Sequence, residues 1–425
     1  MSHRKGAAVL AASALLACAG LVRAAEPQAA VAASASGMSL DKPLLLADTG
    51  PADSSLMGVA DQLGVGKPLN DFGLTIGGYV EGGYTYNFRN TRFNTGRVFD
   101  FENEDPALNQ LVVYVDKTID FKKKEFQVGG HVEMMWGADA RLIHANGIFD
   151  HYGVGNGPEN QFDPTQFYID LFLPVGNGLN IRAGKFVTLL GAEVINPTGN
   201  LLYSHSYLFG FAIPFTHMGA YGTYAINDAL TVDFGASRGW EQGFEDNNGD
   251  AIDVFGRVSW LVNEKNATKL MVTGIGGPER AGTTGGHSED YRYVLDVVFT
   301  TKLSDQLVLT VNGDWGYEGN AAVDGSDAQW YGVAGYLSYN VNDNLALNVR
   351  GEWFEDPDGA RGLGTTGSVY EVTVGLDIKP LVSNKNFASL HIRPEIRYDY
   401  SNDPFFAGGE KHDQWTAAVD AIFGF

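Results

Sequence analysis

The sequence carries a single cysteine, Cys18, close to its start. With no second thiol the chain can form no internal disulfide and no cysteine metal centre. Basic residues are also scarce: 29 Lys and Arg stand against 51 Asp and Glu, a formal net charge of -22. That balance argues against a nucleic-acid partner, because phosphate backbones are held by Lys and Arg. Beyond the first residues no apolar run reaches the roughly 18 residues that a membrane helix needs. Catalytic signatures are missing too. His131, His144, His151, His205, His217 and His391 show no H-E-x-x-H spacing, and there is no G-x-S-x-G elbow and no nucleotide loop. "EDNNGDAID", at 245–253, alternates the oxygen ligands Asp246, Asn248 and Asp250, but it lacks the glycine spacing and the bidentate Glu of a calcium loop. The expectation is a chain with no enzymatic activity, no cofactor and no metal.

What the chain does have is glycine, 54 residues, and aromatics at 12%. It opens with His3, Arg4 and Lys5, an apolar stretch over 7–22, and small residues at Ala24 and Ala25. This is the pattern of a secretory signal peptide, assigned to residues 1–25. "LLAC", ending at Cys18, leaves lipoprotein processing open as an alternative. Residues 26–70 read as a flexible segment, with a short helix expected before Pro68.

From residue 71 to the end the period changes to two. "EFQVGGHVEMMW" puts Phe126, Val128, Val132, Met134 and Trp136 on one side, against Gln127, His131 and Glu133. "LHIRPEIRYDY" opposes Leu390, Ile392, Ile396, Tyr398 and Tyr400 to His391, Arg393, Glu395, Arg397 and Asp399. Such alternation, rich in β-branched and aromatic residues, is a strand signal. Residues 328–340 do not sort cleanly. Connections alternate as well. Short polar turns lie near 120–124, 174–178, 227–228, 263–266, 302–305, 341–343 and 380–387. Long loops lie near 87–106, 138–164, 189–214, 241–249, 278–288, 318–327, 355–367 and 401–412. About sixteen strands result, many long enough for a tilted crossing of a bilayer.

Alternation alone serves a soluble sandwich or a membrane barrel equally well. Loop asymmetry, the even strand number, the leader and the final strand "DQWTAAVDAIFGF", ending on Phe425, together favour the barrel. The fold class expected is therefore all-β: a transmembrane antiparallel β-barrel of about 16 strands over 71–425, with short periplasmic turns, long extracellular loops and both termini periplasmic. Tyr84, Tyr86, Trp136, Trp240, Trp315, Tyr317 and Trp353 precede long loops and are expected at the headgroup level.

Two stretches carry a family likeness. "LGVGKPLNDFGLTIGGYVEGGYTYNF" at 63–88 resembles the opening of the putative β-barrel porin-2 (OmpL-like) family. "GKFVTLLGAEVINPTGNLLYSHSYLFGFAIPFTHMGAYGTYAIN" at 184–227 is similar to that family's central block. The resemblance spans roughly 60–425 and implies a channel-forming barrel in the outer membrane of a diderm bacterium. It implies no particular substrate and no catalytic residue.

In such a barrel the inner wall is the functional surface. Parity places Glu81, His131, Glu133, Arg182, Asp233, Asp253, Arg257, Asp296, Asn312, Asp314, Arg350, Glu352, Glu371, Asp377, Arg393, Glu395 and Arg397 there as pore-lining candidates. Arg182, Arg350, Arg393 and Arg397 are expected to form a local basic ladder opposite acids, and net acidity suggests a mild cation preference. The loop 189–214 contains "LLYSHSYLFGFAIPF", too apolar to stay exposed. It is expected either to fold into the lumen as a constriction or to pack at a subunit interface, with Tyr203, His205, Tyr207, Phe209 and Phe211 as its key residues. The partners implied are outer-membrane lipid, ions and small hydrophilic solutes, and two further copies in a homotrimer. Two other readings stay open: a non-conducting surface barrel whose loops act in adhesion or envelope structure, and a secreted soluble β-protein.

Overall fold

Sixteen strands pair in sequence order, each antiparallel to the next, and the last returns to the first. The computed structural model describes residues 55–153, 156–245, 248–280, 286–384 and 387–425. The leader, Cys18 and Asp246 lie outside the described residues. The strands are β1 (Thr75–Asn87), β2 (Ala107–Lys117), β3 (Gln127–Gly137), β4 (Gln161–Leu173), β5 (Leu179–Val187), β6 (Thr216–Asn227), β7 (Leu230–Ser237) and β8 (Asp253–Asn263). They continue as β9 (Thr268–Pro278), β10 (Tyr291–Lys302), β11 (Leu307–Glu318), β12 (Ala328–Asn342), β13 (Leu345–Glu355), β14 (Ser368–Ile378), β15 (Leu390–Ser401) and β16 (Asp413–Gly424).

Closure follows from the solvent. A sheet in hydrocarbon must satisfy every backbone amide, so it cannot keep an edge. Here β1 and β16 pair from Tyr79↔Gly424 to Asn87↔Thr416. Phe425 extends the seam, exchanging backbone hydrogen bonds of 2.9 and 2.8 Å with Gly78. Among the described residues no helix is long and apolar enough to cross a membrane; the crossing is made by strands.

Period two sorts the two faces of the wall. On β3, Val132, Met134 and Trp136 are 41–48% exposed on the outer face, while the neighbouring Glu133 and Met135 are 6% and 0% exposed inside. Val372 and Val374 on β14, and Ile396 and Tyr400 on β15, repeat the pattern outside. The outer face is thus an apolar, lipid-compatible surface and the charged positions turn inward.

Two helices precede the barrel, α1 (Ser55–Gln62) and α2 (Gly66–Phe72). The helix expected before Pro68 is α1; α2 runs through Pro68. A proline fits there because the first-turn amides have no intrahelical acceptor to lose. Gly73 ends α2 with φ 70° and donates its N–H to the Asn70 and Leu69 carbonyls, a left-handed cap that glycine adopts without strain.

β12 explains why residues 328–340 resist sorting. Its outer face carries Tyr331, Leu337 and Tyr339, yet Trp330 and Tyr336 on its inner face are fully buried. Both faces are apolar because the inner one meets a packed loop rather than water.

Candidate functional site

The chain leaves the wall at the end of β5. The pairing of β4 with β5 stops at Phe167↔Lys185, so 161–166 have no β5 neighbour. Lys185 closes that seam: its Nζ donates to Asp163 (2.9 Å) and to the Pro164 carbonyl (3.1 Å), and His144 faces the same Asp163 at 3.3 Å. From there residues 188–215 turn into the lumen. Of the two courses expected for this loop, the structure takes the inward one.

Apolar burial drives the insertion. Leu190, Leu201, Leu202, Tyr207, Leu208, Ala212 and Ile213 form one buried cluster with the inward side chains Phe186, Tyr221, Phe255, Met271, Ile275, Val294, Val298, Trp330, Tyr336 and Phe354. A second cluster joins Ile195 and Phe209 to Tyr79, Phe99, Val112, Met135 and Ile143. Burying each such side chain contributes about 1.5–3 kcal/mol relative to exposure. The wall makes room with glycine: a Cβ on Gly332 would stand 2.9 Å from a Leu208 methyl, and one on Gly375 2.6 Å from a Leu202 methyl.

A loop drawn out of water must also satisfy its backbone. Carboxylates do this on one side. Glu395 accepts from the Tyr203 and Ser204 amides (2.9 and 3.2 Å), Glu193 from Ser206 (2.7 Å), and Glu352 from Tyr207 and Leu208 (2.6 and 2.7 Å). Guanidinium groups do it on the other. Arg393 donates to the Pro197 and Asn200 carbonyls (3.0 and 2.7 Å), Arg350 to Ser204 (2.6 Å) and Arg397 to His205 (2.6 Å). Asn348, Gln110 and Trp330 donate to the carbonyls of Leu201, Ile195 and Ala212 at 2.9, 2.9 and 3.1 Å, and the Asn312 side chain accepts from Ala192 (3.0 Å). The wall therefore grips the loop mainly through its main chain.

The gripping charges are themselves paired. Arg350 meets Glu371 and Glu193, both at 2.7 Å; Arg397 meets Asp399 at 2.8 Å; Arg393 meets Asp420 and, at 3.4 Å, Glu81. Asp399 also accepts from the Tyr207 hydroxyl and from Arg97, each at 2.8 Å, which ties the 88–106 loop to the same network.

Of the other candidates on the inner face, Asp296 joins this grip by accepting from the Gly191 amide. Asp233 pairs with Arg257 (2.8 Å), Asp377 with His391 (2.8 Å), and Asp296 lies opposite Asp314 in the register of β10 with β11, accepting from Asn312 at 2.6 Å. Asp253 sits beside Glu279 at the top of β8. All the titratable candidates except His131 and Arg182 are buried. The expected basic ladder does not form: Arg182 stands on β5, whereas Arg350, Arg393 and Arg397 stand on β13 and β15 beneath the loop. Parity assigns a side chain to one face of a strand, but it cannot tell that a loop will cover it.

The five loop residues divide: Tyr207 and Phe211 pack in the first cluster, Phe209 with His205 packs on Phe99 in the second, and the Tyr203 hydroxyl donates to Asn109. Tyr203, His205, Tyr207 and Phe209 are buried and Phe211 is partly so. His205 lies between Phe99 (5.0 Å) and Phe209 (4.3 Å), and burial holds its imidazole below the usual histidine range.

Trp240 departs from the expected headgroup position. It is buried at the long-loop rim, with the guanidinium groups of Arg292 and Arg361 at 4.6 and 4.8 Å from its ring. Arg361 also lies 4.9 Å from the Trp330 ring and donates to the Phe211 carbonyl at 2.7 Å. Burial beside the like-charged Arg292 pulls Arg361 down to about 10. Glu279 accepts from the Trp240 amide at 3.0 Å, and burial is the main cause that pushes its carboxyl up to about 9. Sequence reasoning missed Glu193, Arg361 and Trp330, because nothing local distinguishes a loop acid, a loop arginine or a strand tryptophan that meets a distant loop. Among the described residues no group of His, Cys, Asp or Glu is arranged to hold a metal ion.

Comparison with known proteins agrees with this geometry. Residues 73–425 match the family model described as Putative beta-barrel porin-2, OmpL-like. No curated protein matches the sequence. Among solved structures, the outer membrane channel DcaP of Acinetobacter baumannii superposes with a TM-score of 0.55 at 12% identity, over 83% of this chain and 97% of that one. An anion-selective porin from Comamonas acidovorans gives 0.56 at 11% identity, over 83% and 99%. OprB of Pseudomonas putida gives 0.56 at 12% identity, over 86% and 97%. At such identities the likeness establishes a common fold.

Proposed function

The chain belongs to the putative β-barrel porin-2, OmpL-like family of outer-membrane barrels, and from that premise we propose that it is a porin passing ions and small hydrophilic solutes by passive diffusion. The observation that carries the reading is the pairing of a closed, lipid-faced wall with a loop, 188–215, anchored inside it by Arg350, Glu352, Arg393, Glu395 and Arg397. A loop held inside the wall narrows the lumen, and the charges around it set an electrostatic barrier. We propose that the long-loop rim faces outside, that both termini are periplasmic, and that the chain works as a homotrimer; one structural relative, OmpT of Vibrio cholerae, is described in a trimer form. We assign the protein no enzymatic step.

The apolar packing of the loop gives a specific reason to keep a second reading, a surface barrel with little conductance. The two separate in a planar bilayer. Purified protein should produce discrete, ohmic current steps in KCl; protein that inserts, shows heat-modifiable gel mobility and carries no current would overturn the porin reading in favour of the second.

A further inference from the structure

The loop's anchors lie on β2, β6, β9–β13 and β15, and the lower wall of β2–β5 escapes them. There, planar groups stack across four neighbouring strands. Tyr114 lies on His131 with centroids 5.6 Å apart and planes at 23°, and His131 lies on Tyr168 at 5.5 Å and 19°. The Arg182 guanidinium caps the row 3.7 Å from the Tyr168 ring centre. The pairings Asp116↔His131, His131↔Tyr168 and Asp170↔Arg182 put the row on one face. That face is the inner one, because Val113, Val115, Val132 and Ile169 on the same strands are exposed outside.

The row is held from its ends. Asp170 takes Arg182 through Nε and Nη2, both at 3.0 Å, and Asp116 faces the His131 Nδ1 at 3.0 Å. Some polar capacity is left over. The hydroxyls of Tyr114 and Tyr168 and the Nη1 of Arg182 have no hydrogen-bond partner among the described residues. The Asp116 and Arg182 side chains keep 27% and 25% of their surface, whereas the arginines beneath the loop keep almost none. One row thus offers free donors, a free acceptor and flat carbon edges to the lumen.

A neutral polyhydroxylated solute matches this set. Each of its hydroxyls both donates and accepts, and its C–H surface packs on planar groups. A small anion would meet Asp116, Glu133 and Asp170 in the same row, and a small cation would meet Arg182. We infer that the solute path runs along β2–β5 and that Tyr114, His131, Tyr168 and Arg182 are its contact surface for sugar-like solutes. The inference rests on the porin reading above.

Maltose added to one side of a bilayer holding the full-length protein is expected to reduce the KCl current in a concentration-dependent way. Tyr168→Ala, measured against that variant's own open current, should raise the half-blocking concentration about three- to tenfold. Path and ligand are separated by thiol chemistry in a Cys18→Ser background, which removes the chain's one native cysteine. In that background Asp116→Cys should lose current on treatment with a charged methanethiosulfonate, while Val132→Cys, on the outer face of β3, should not. Current that ignores maltose, an unchanged block in Tyr168→Ala, or insensitivity of Asp116→Cys would each overturn the inference and leave the porin reading standing. Absence of any current in the unaltered protein would defeat both.

Discussion

Arg350 joins wall and loop in one side chain. It donates to Glu371, Glu193 and the Ser204 carbonyl with its side chain fully buried. A buried ion network adds little net stability, but removing one member strands the others; Arg350→Ala should cost about 3–5 kcal/mol. Arg350→Lys should recover only part of this, because an ammonium cannot reproduce the guanidinium fork. Urea unfolding of the detergent-solubilised barrel reads the difference, and near-equal midpoints for all three proteins would show that the network does not hold the loop. Glu279 makes a pH-dependent contribution of opposite origin. Burial raises its carboxyl to about 9, with Asp253 beside it adding to the rise and Arg292 opposing it. The folded protein therefore holds a proton that the unfolded chain releases near the ordinary carboxylate value. Stability of the long-loop rim is greatest at the acid end and falls as pH rises toward about 9. Thermal midpoints should decline between about pH 5 and pH 9 in the native protein, and Glu279→Gln should flatten that slope. A slope unchanged by the substitution would assign the effect to other groups.

At the scale of elements the loop 188–215 is the feature that distinguishes this barrel from a plain wall. Its neighbours are far away in sequence: the Tyr203 amide and Glu395 are 192 residues apart, and Trp330 and Ala212 are 118 apart. Deleting 200–210 removes Leu201, Leu202, Tyr207 and Leu208 from the buried cluster, leaves Arg397, Glu352 and Glu395 without their main-chain partners and leaves Arg393 only the Pro197 carbonyl. Conductance should rise and the unfolding midpoint should fall. Unchanged conductance would mean that the loop does not narrow the path. The strands themselves were readable from alternation, and the turns from their Asn, Asp and Gly, because both signals are local. β12 was not, since an inner face that packs against a loop looks no different from an outer face that packs against lipid. Trp240 failed for a related reason: an aromatic at a strand end fits a headgroup, but here two distant guanidinium groups, Arg292 on β10 and Arg361 in the loop after β13, capture it.

For the whole molecule, net charge is a poor guide to selectivity. The count of 51 acids against 29 bases covers leader, loops and wall alike. Inside, Arg257, Arg350, Arg393 and Arg397 neutralise many of the inward acids. The accessible pair Asp116 and Arg182 is balanced, so the proposed cation preference should be small. Reversal potentials across a KCl gradient measure it directly, and a clear anion preference would sink it.

The amino-acid sequence by itself determined which side of most strands faces lipid. Successive side chains on an extended backbone must point to opposite faces, and in strands other than β12 one face is the more apolar and suits hydrocarbon. The tertiary structure alone decided what the inward side chains touch. A loop reaches its partners across more than a hundred residues of chain, and the choice among water, an ion pair and a loop carbonyl depends on how the closed wall brings them together.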